Sequence, residues 1–229
     1  MLQLVIGNKN YSSWSLRPWL VLQALDIPFT EINLSFNDPD FKLKARQYSP
    51  TAKVPVLLDH DFAVWDTLAI VEYLAEHFPD AGVWPADPQA RATARSLAAE
   101  MHSSFGALRS AMPMNVEASL PGIGMSEGVQ RDIDRLVSAW ADCRARFGDG
   151  GPFLCGAFSA VDAFFAPVIL RLTTHAVALP AEAQAYVDAM LALPALQEWC
   201  REARLEHDYV ECDEPYRSAA EAAAARTAS

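Results

Sequence analysis

The chain has no Cys-x-x-Cys pair: Cys143, Cys155, Cys200 and Cys212 are scattered, with no histidine at metal-ligand spacing. Dithiol redox chemistry and a cysteine-held metal are therefore not expected, and the thiols read as the buried cysteines of a reducing compartment. No apolar run reaches the roughly 18 to 20 residues of a membrane span, and the first residues lack the basic-then-apolar order of a secretion signal. A soluble, cytoplasmic protein without a membrane partner is expected. Basic charge is also scarce: 18 Lys and Arg stand against 29 Asp and Glu, a formal net charge of -11. Nucleic acid is not an expected partner, because phosphate binding needs a basic surface, although a local cationic pocket stays open. Nor is there a dinucleotide loop, since Gly122-Ile123-Gly124 follows no strand and its third glycine is misplaced.

What is present suffices for one large or two small cores, with 229 residues that are 52% hydrophobic. Residues 2–6 alternate and read as a strand ending at Gly7. From Leu16 onward a helix is expected, with Pro18 in its first turn and Asp26-Ile27-Pro28 closing it. Between them lies Tyr11-Ser12-Ser13-Trp14-Ser15, a hydroxyl-rich loop aimed at a helix N-terminus. Such an end gathers unpaired N–H donors and partial positive charge, so it favours a thiolate or carboxylate. Residues 29–34 read as a second strand and 38–47 as a short helix, giving a right-handed strand-helix-strand unit with a parallel pair. Pro55 opens the next strand, where a missing ladder donor is tolerated. Asp59-His60-Asp61 turns into an antiparallel strand over 62–65, and Asp66-Thr67 caps a helix that stops at Pro79.

The second half reads as helix throughout. Asp87-Pro88 caps a long helix over 89–112, and residues 113–125 form a loop. A second long helix runs from Ser126 to Gly148. Ser159 and Asp162 form a capping box ahead of an apolar run. Two further helices are expected over 181–192 and 194–205. The alanine-rich end, residues 213–229, is expected to fray.

The loop Ser12-Ser13-Trp14-Ser15-Leu16-Arg17, the pair Val54-Pro55 and the stretch Asp66-Thr67-Leu68-Ala69-Ile70, in that order, resemble the soluble glutathione S-transferases of serine type, nearest the zeta-like branch. Trp14 stands where the zeta-type cysteine would be, and Asp66 and Thr67 replace a longer acid or amide and a serine. The resemblance implies a thioredoxin-like α/β domain over residues 1–80 and an all-α domain over 87–212. It also implies a homodimer, a cis peptide bond at Val54-Pro55, and glutathione as co-substrate with no metal. Glutathione's peptide would lie along Val54 and Pro55, with its γ-glutamyl end on Asp66 and Thr67. Its glycyl carboxylate would pair with Lys53 and with Lys42 or Lys44. Its thiol would lie against Ser12, with Tyr11 as the rival donor and Arg17 adding charge. The activity implied is a detoxifying transferase that attacks a small apolar electrophile, the pocket being formed by Trp14, Met101, Phe105 and Arg109. A glutathione-dependent isomerase, a peroxidase or a non-catalytic glutathione-binding dimer are the alternatives. His102 is read as a packed or surface histidine in preference to a general base.

Overall fold

Alternation along β1 (Leu2–Ile6) sends Leu2, Leu4 and Ile6 to one face of the sheet and Val5 to the other. The computed structural model describes residues 1–227. After β1 come α1 (Ser13–Ala24), β2 (Phe29–Asn33), α2 (Phe41–Arg46), β3 (Val56–Asp59), β4 (Phe62–Trp65) and α3 (Thr67–His77). The strands form one mixed sheet in the order β2-β1-β3-β4. β1 and β2 are parallel, Leu2 opposite Phe29, as a helical crossover requires. β3 runs antiparallel to β1, Val5 opposite Val56, and β4 antiparallel to β3, Val56 opposite Trp65. The Leu4 and Ile6 face packs into the main core with Leu16 and Leu20 of α1 and Ile70 and Leu74 of α3. Val5 and Val56 pack with Leu34 and with Ala45 of α2 on the other face.

Seven residues beyond the end of the single-turn helix at Pro79–Ala81, the chain turns helical. The helices are α4 (Pro88–Ser103), α5 (Gly106–Ala111), α6 (Glu127–Phe147), α7 (Ala160–Thr174), α8 (Ala181–Leu191), α9 (Pro194–Glu206) and α10 (Ala219–Thr227). Asp87 caps α4 through the N–H groups of Gln89 and Ala90, at 3.0 and 2.8 Å. α7 is buried on almost every side, as an apolar helix at the centre of a bundle must be, and it packs on α1 and α4. Its start is held by Asp162, whose carboxylate accepts the Ser159 N–H at 3.0 Å, the Leu154 N–H at 3.1 Å and the Tyr186 hydroxyl at 3.0 Å.

Two expectations need correction. The helix predicted over 89–112 is two helices, because Phe105 takes a left-handed conformation (φ 61°) between α4 and α5. Phe105 and Leu108 stay buried across the break, which is why apolar spacing did not betray it. The tail predicted to fray from residue 213 carries α10, with Ala222 buried and Arg226 bonded to Glu117 at 2.5 Å; its last two residues, 228 and 229, lie outside the described residues.

Candidate functional site

The turn after β1 sets the first part of the site. The N–H groups of Tyr11 and Ser12 both donate to the Asn8 carbonyl, at 3.1 and 2.8 Å, and α1 begins at Ser13, three residues earlier than the apolar spacing predicts. Ser12 is thus the N-cap residue, yet its side chain caps nothing. Its hydroxyl bonds Ser15 Oγ at 2.7 Å, and Ser15 Oγ accepts the Gly7 N–H at 3.2 Å. Glycine at position 7 lets the Phe36 ring lie close over the turn, since a Cβ there would come 2.3 Å from the ring and displace it. The Tyr11 hydroxyl is committed elsewhere: it donates to Glu214 Oε1 at 2.7 Å. Burial, followed by that bond and the Glu214 charge, raises the phenol's pKa.

Two clefts open on this turn, with Trp14, Lys53 and Val54 as a shared wall. The first, of about 360 Å³, is bounded by Pro55, Trp65, Asp66, Thr67 and His102. The Val54-Pro55 bond is cis, as expected from the resemblance. Asp66 caps α3 by accepting the Leu68 N–H at 2.9 Å with Oδ1, and its Oδ2 lies 3.4 Å from His102 Nε2. The other ring nitrogen of His102 is 3.3 Å from Thr67 Oγ1, and the ring meets Trp14 edge-on at 5.0 Å. Burial, together with the charges of Arg17 and Arg109, lowers the His102 pKa, against the opposing pull of Asp66. His102 therefore joins the second half of the chain to the acid-hydroxyl pair of the first, a contact across 35 residues that spacing cannot show.

The second cleft, of about 410 Å³, holds Tyr11, Ser12, Ser13, Phe36 and Lys42 on one side and Arg109, Met114, Arg171 and Asp213 on the other. Trp14 is covered by two guanidinium groups, Arg17 at 4.2 Å and Arg109 at 4.7 Å from the ring centre. Arg17 is 1% exposed, so it lies behind Trp14 and not in the cleft. Of the four residues expected at an electrophile pocket, Trp14 and Arg109 border this cleft. Met101 and Phe105 border neither cleft: both are buried in the main core, where their helical spacing directs them. Lys44 is paired with Asp38, which leaves Lys42 and Lys53 as the lysines at the clefts. Arg171 and Asp213 escaped the sequence reading, although a lone arginine within the apolar run of α7 is a visible anomaly. Among the described residues no cluster of three His, Cys, Asp or Glu side chains could hold a metal, and no helix is long and apolar enough to cross a membrane.

Comparison with known proteins bears on both halves. A glutathione transferase homologue from Burkholderia gl BGR1, solved with bound glutathione, is 27% identical and superposes with a TM-score of 0.66 over 89% of this chain and 97% of that one. Glutathione S-transferase 1 of Dianthus caryophyllus is 27% identical over 76% of this chain and 78% of its own. A probable maleylacetoacetate isomerase of Caenorhabditis elegans is 36% identical over 85 residues, 37% of this chain and 39% of the nematode protein's length. The glutathione S-transferase N-terminal domain model matches residues 11–77, and the C-terminal domain model matches residues 126–202. With both domains of one family matched in order over more than half of its length, on a mixed sheet followed by a helical bundle, the chain belongs to the glutathione S-transferase family.

Proposed function

We propose that this protein is a glutathione transferase that binds the tripeptide along the first cleft and delivers its thiolate to an electrophile in the second. The observation that carries the reading is the shared wall: Trp14, Lys53 and Val54 border both clefts, so a peptide on Val54 presents its sulfur where the two meet. In this reading the γ-glutamyl ammonium pairs with Asp66, and its carboxylate takes the Thr67 hydroxyl and the N-terminus of α3. His102, already within reach of both residues, completes that end. Lys53 and Lys42 take the glycyl carboxylate.

The sulfur lies at the N-terminus of α1 beside Ser12. Hydroxyl hydrogens turn to suit their partners. When Ser12 donates to sulfur, the Ser15 hydroxyl can donate back to Ser12 Oγ while still accepting the Gly7 N–H, so the shift strands no buried group. A thiol titrates ordinarily near 8.5. One charge-assisted hydrogen bond stabilises an anion by about 1.5–3 kcal/mol and a helix end by about 0.3–1 kcal/mol, which together lower the thiol by roughly one to three pKa units. Thiolate then predominates at neutral pH once the shift exceeds about one and a half units. Ser12 is favoured over Tyr11 because the Tyr11 proton is engaged by a buried carboxylate. Arg17, fixed behind Trp14, acts through its field alone.

The family resemblance extends this reading to a homodimer, for which the exposed Phe62 and Trp65 of β4, the last strand of the sheet, offer apolar surface. Titration calorimetry with glutathione tests the assignment. Wild type gives saturable heat, and Asp66→Ala weakens binding by about tenfold or more, the loss of one charged hydrogen bond. A wild-type chain that gives no heat with glutathione sinks the reading. Retention of glutathione with no turnover of any electrophile would select the non-catalytic alternative.

A further inference from the structure

Arg171 sits within a helix buried on almost every side and is 5% exposed. A cation taken out of water costs several kcal/mol unless an anion lies against it. Among the described residues its hydrogen-bond partners are backbone carbonyls only: Nε donates to Met112 at 2.8 Å and Nη1 to Pro167 at 3.2 Å. Arg109, across the same cleft, donates to the His102 carbonyl at 3.2 Å and otherwise lies on Trp14. Behind Trp14, Nε and Nη1 of Arg17 are buried with no hydrogen-bond partner. Four arginines elsewhere pair with carboxylates, Arg95–Glu72, Arg135–Glu100, Arg217–Glu214 and Arg226–Glu117, and Arg91 and Arg144, which donate to backbone carbonyls, are less buried than Arg171. At the second cleft, among the described residues, neither Arg109 nor Arg171 hydrogen-bonds a carboxylate, and Asp213 acts on Arg171 through its charge alone. Burial and then the neighbouring Arg109 charge push the Arg171 pKa down to about 9 against the opposing pull of the Asp213 charge, which still leaves it cationic at neutral pH.

The cleft wall carries Lys42, Lys53, Arg109 and Arg171 against the single carboxylate of Asp213. The glycyl carboxylate of glutathione, in the reading above, takes the two lysines, which belong to the first half of the chain. The two arginines come from the second half, on the side left for the electrophile. We propose that Arg109 and Arg171 form a carboxylate subsite, so that the electrophile is an apolar molecule bearing one carboxylate. Its apolar body lies against Trp14, Phe36 and Met114, and its acid group takes guanidinium N–H donors, whose planar fork suits a carboxylate. Asp213, half-buried in the same wall and already offsetting part of the Arg171 charge, disfavours a second negative charge. The inference rests on the transferase reading for its chemistry and on the arginines alone for its ligand.

Two pairs of probes test it. For binding, 3,5-dinitrobenzoate and its methyl ester are titrated by calorimetry without glutathione. For turnover, 4-chloro-3,5-dinitrobenzoate and its methyl ester are compared at saturating glutathione, each rate divided by its uncatalysed rate. In that reaction the thiolate sulfur forms a bond to the ring carbon bearing chlorine, the C–Cl bond breaks, and chloride leaves with the electron pair; the thiol proton goes to solvent. The acid is expected to bind, and to react, about tenfold or more better than the ester, which corresponds to about 1.4 kcal/mol. Arg109→Gln and Arg171→Met each bring that ratio towards one. Should Arg171→Met fail to fold, the half-buried Arg109 carries the test. Wild type that treats acid and ester alike in both assays overturns the subsite. Preference for the acid in a chain that does not bind glutathione keeps the subsite and removes the transferase reading. Glutathione binding without acid preference does the reverse.

Discussion

Ser12 and Tyr11 are adjacent hydroxyls with different obligations, and that difference separates their roles. Ser12 shares its proton with Ser15 at 2.7 Å, an exchangeable neutral partner. Tyr11 donates to Glu214 Oε1, a carboxylate 1% exposed at its side chain and also held by Arg217 at 2.5 Å. Taking Tyr11 away from Glu214 would break a charge-assisted bond in a buried setting, which is the stronger kind. Ser12→Ala is therefore expected to raise the pKa of bound glutathione by about one to two units, the equivalent of about 1.5–3 kcal/mol. Tyr11→Phe should leave that pKa in place and lower unfolding stability by about 1–3 kcal/mol. Titration of thiolate absorbance in the two complexes, with urea melts alongside, decides it. A Tyr11→Phe complex whose thiol pKa rises while the Ser12→Ala complex keeps its own would reverse the assignment.

Single elements carry their own titration. Asp162 starts α7 with three donors on its carboxylate, yet complete burial outweighs them and raises its pKa to about 6. An unfolded aspartate titrates near 3.9. Between these values the folded state holds the proton and the unfolded state does not, so stability falls as pH rises from about 4 to about 6, by roughly 3 kcal/mol from this group alone. Asp162→Asn removes that dependence. It also turns an amide N–H₂ towards one of the backbone donors, at a cost of about 1–3 kcal/mol at pH 7. Urea midpoints at pH 4.5 and pH 7 should differ more in wild type than in Asp162→Asn, and equal differences would place the Asp162 pKa near its ordinary value. This capping box was legible in the sequence because its logic is local: a serine, an acid three residues on, and an apolar run. The sheet was legible for the same reason, through the alternation of Leu2, Leu4 and Ile6 and the turn at Asp59-His60-Asp61. The interruption at Phe105 was not, since a left-handed residue that stays buried leaves the 3.6-residue pattern intact. Nor was the pairing of His102 with Asp66 and Thr67, which depends on how the helical half docks on the sheet.

At the scale of the whole molecule, the end of the chain returns to hold its beginning. The carboxylate of Glu206 accepts the Lys9 N–H at 2.7 Å and the Asn10 N–H at 3.2 Å, and the Lys9 carbonyl accepts the Trp199 indole N–H at 3.0 Å. Asp208 accepts Asn8 Nδ2 at 2.7 Å and Ser35 Oγ at 2.9 Å, and Arg226 of α10 donates to the Asp208 carbonyl at 3.0 Å. The turn that aims Ser12 is thus fastened by residues nearly 200 positions away, and its backbone donors have no strand or helix to satisfy them. Glu206→Ala strands two of those N–H groups, each worth about 1–3 kcal/mol when buried and unpaired. Glu206→Gln keeps one acceptor oxygen and should fall between wild type and alanine. Amide exchange is the direct measurement: in Glu206→Ala, residues 9–12 should exchange faster while β1 and α7 keep their protection, because local opening need not cost the core. If Ser12 acts through its position at the start of α1, the same variant raises the pKa of bound glutathione without touching any residue of the clefts. Unchanged exchange at residues 9–12 would mean that the turn holds its own shape and that the carboxyl-terminal segment merely lies against it.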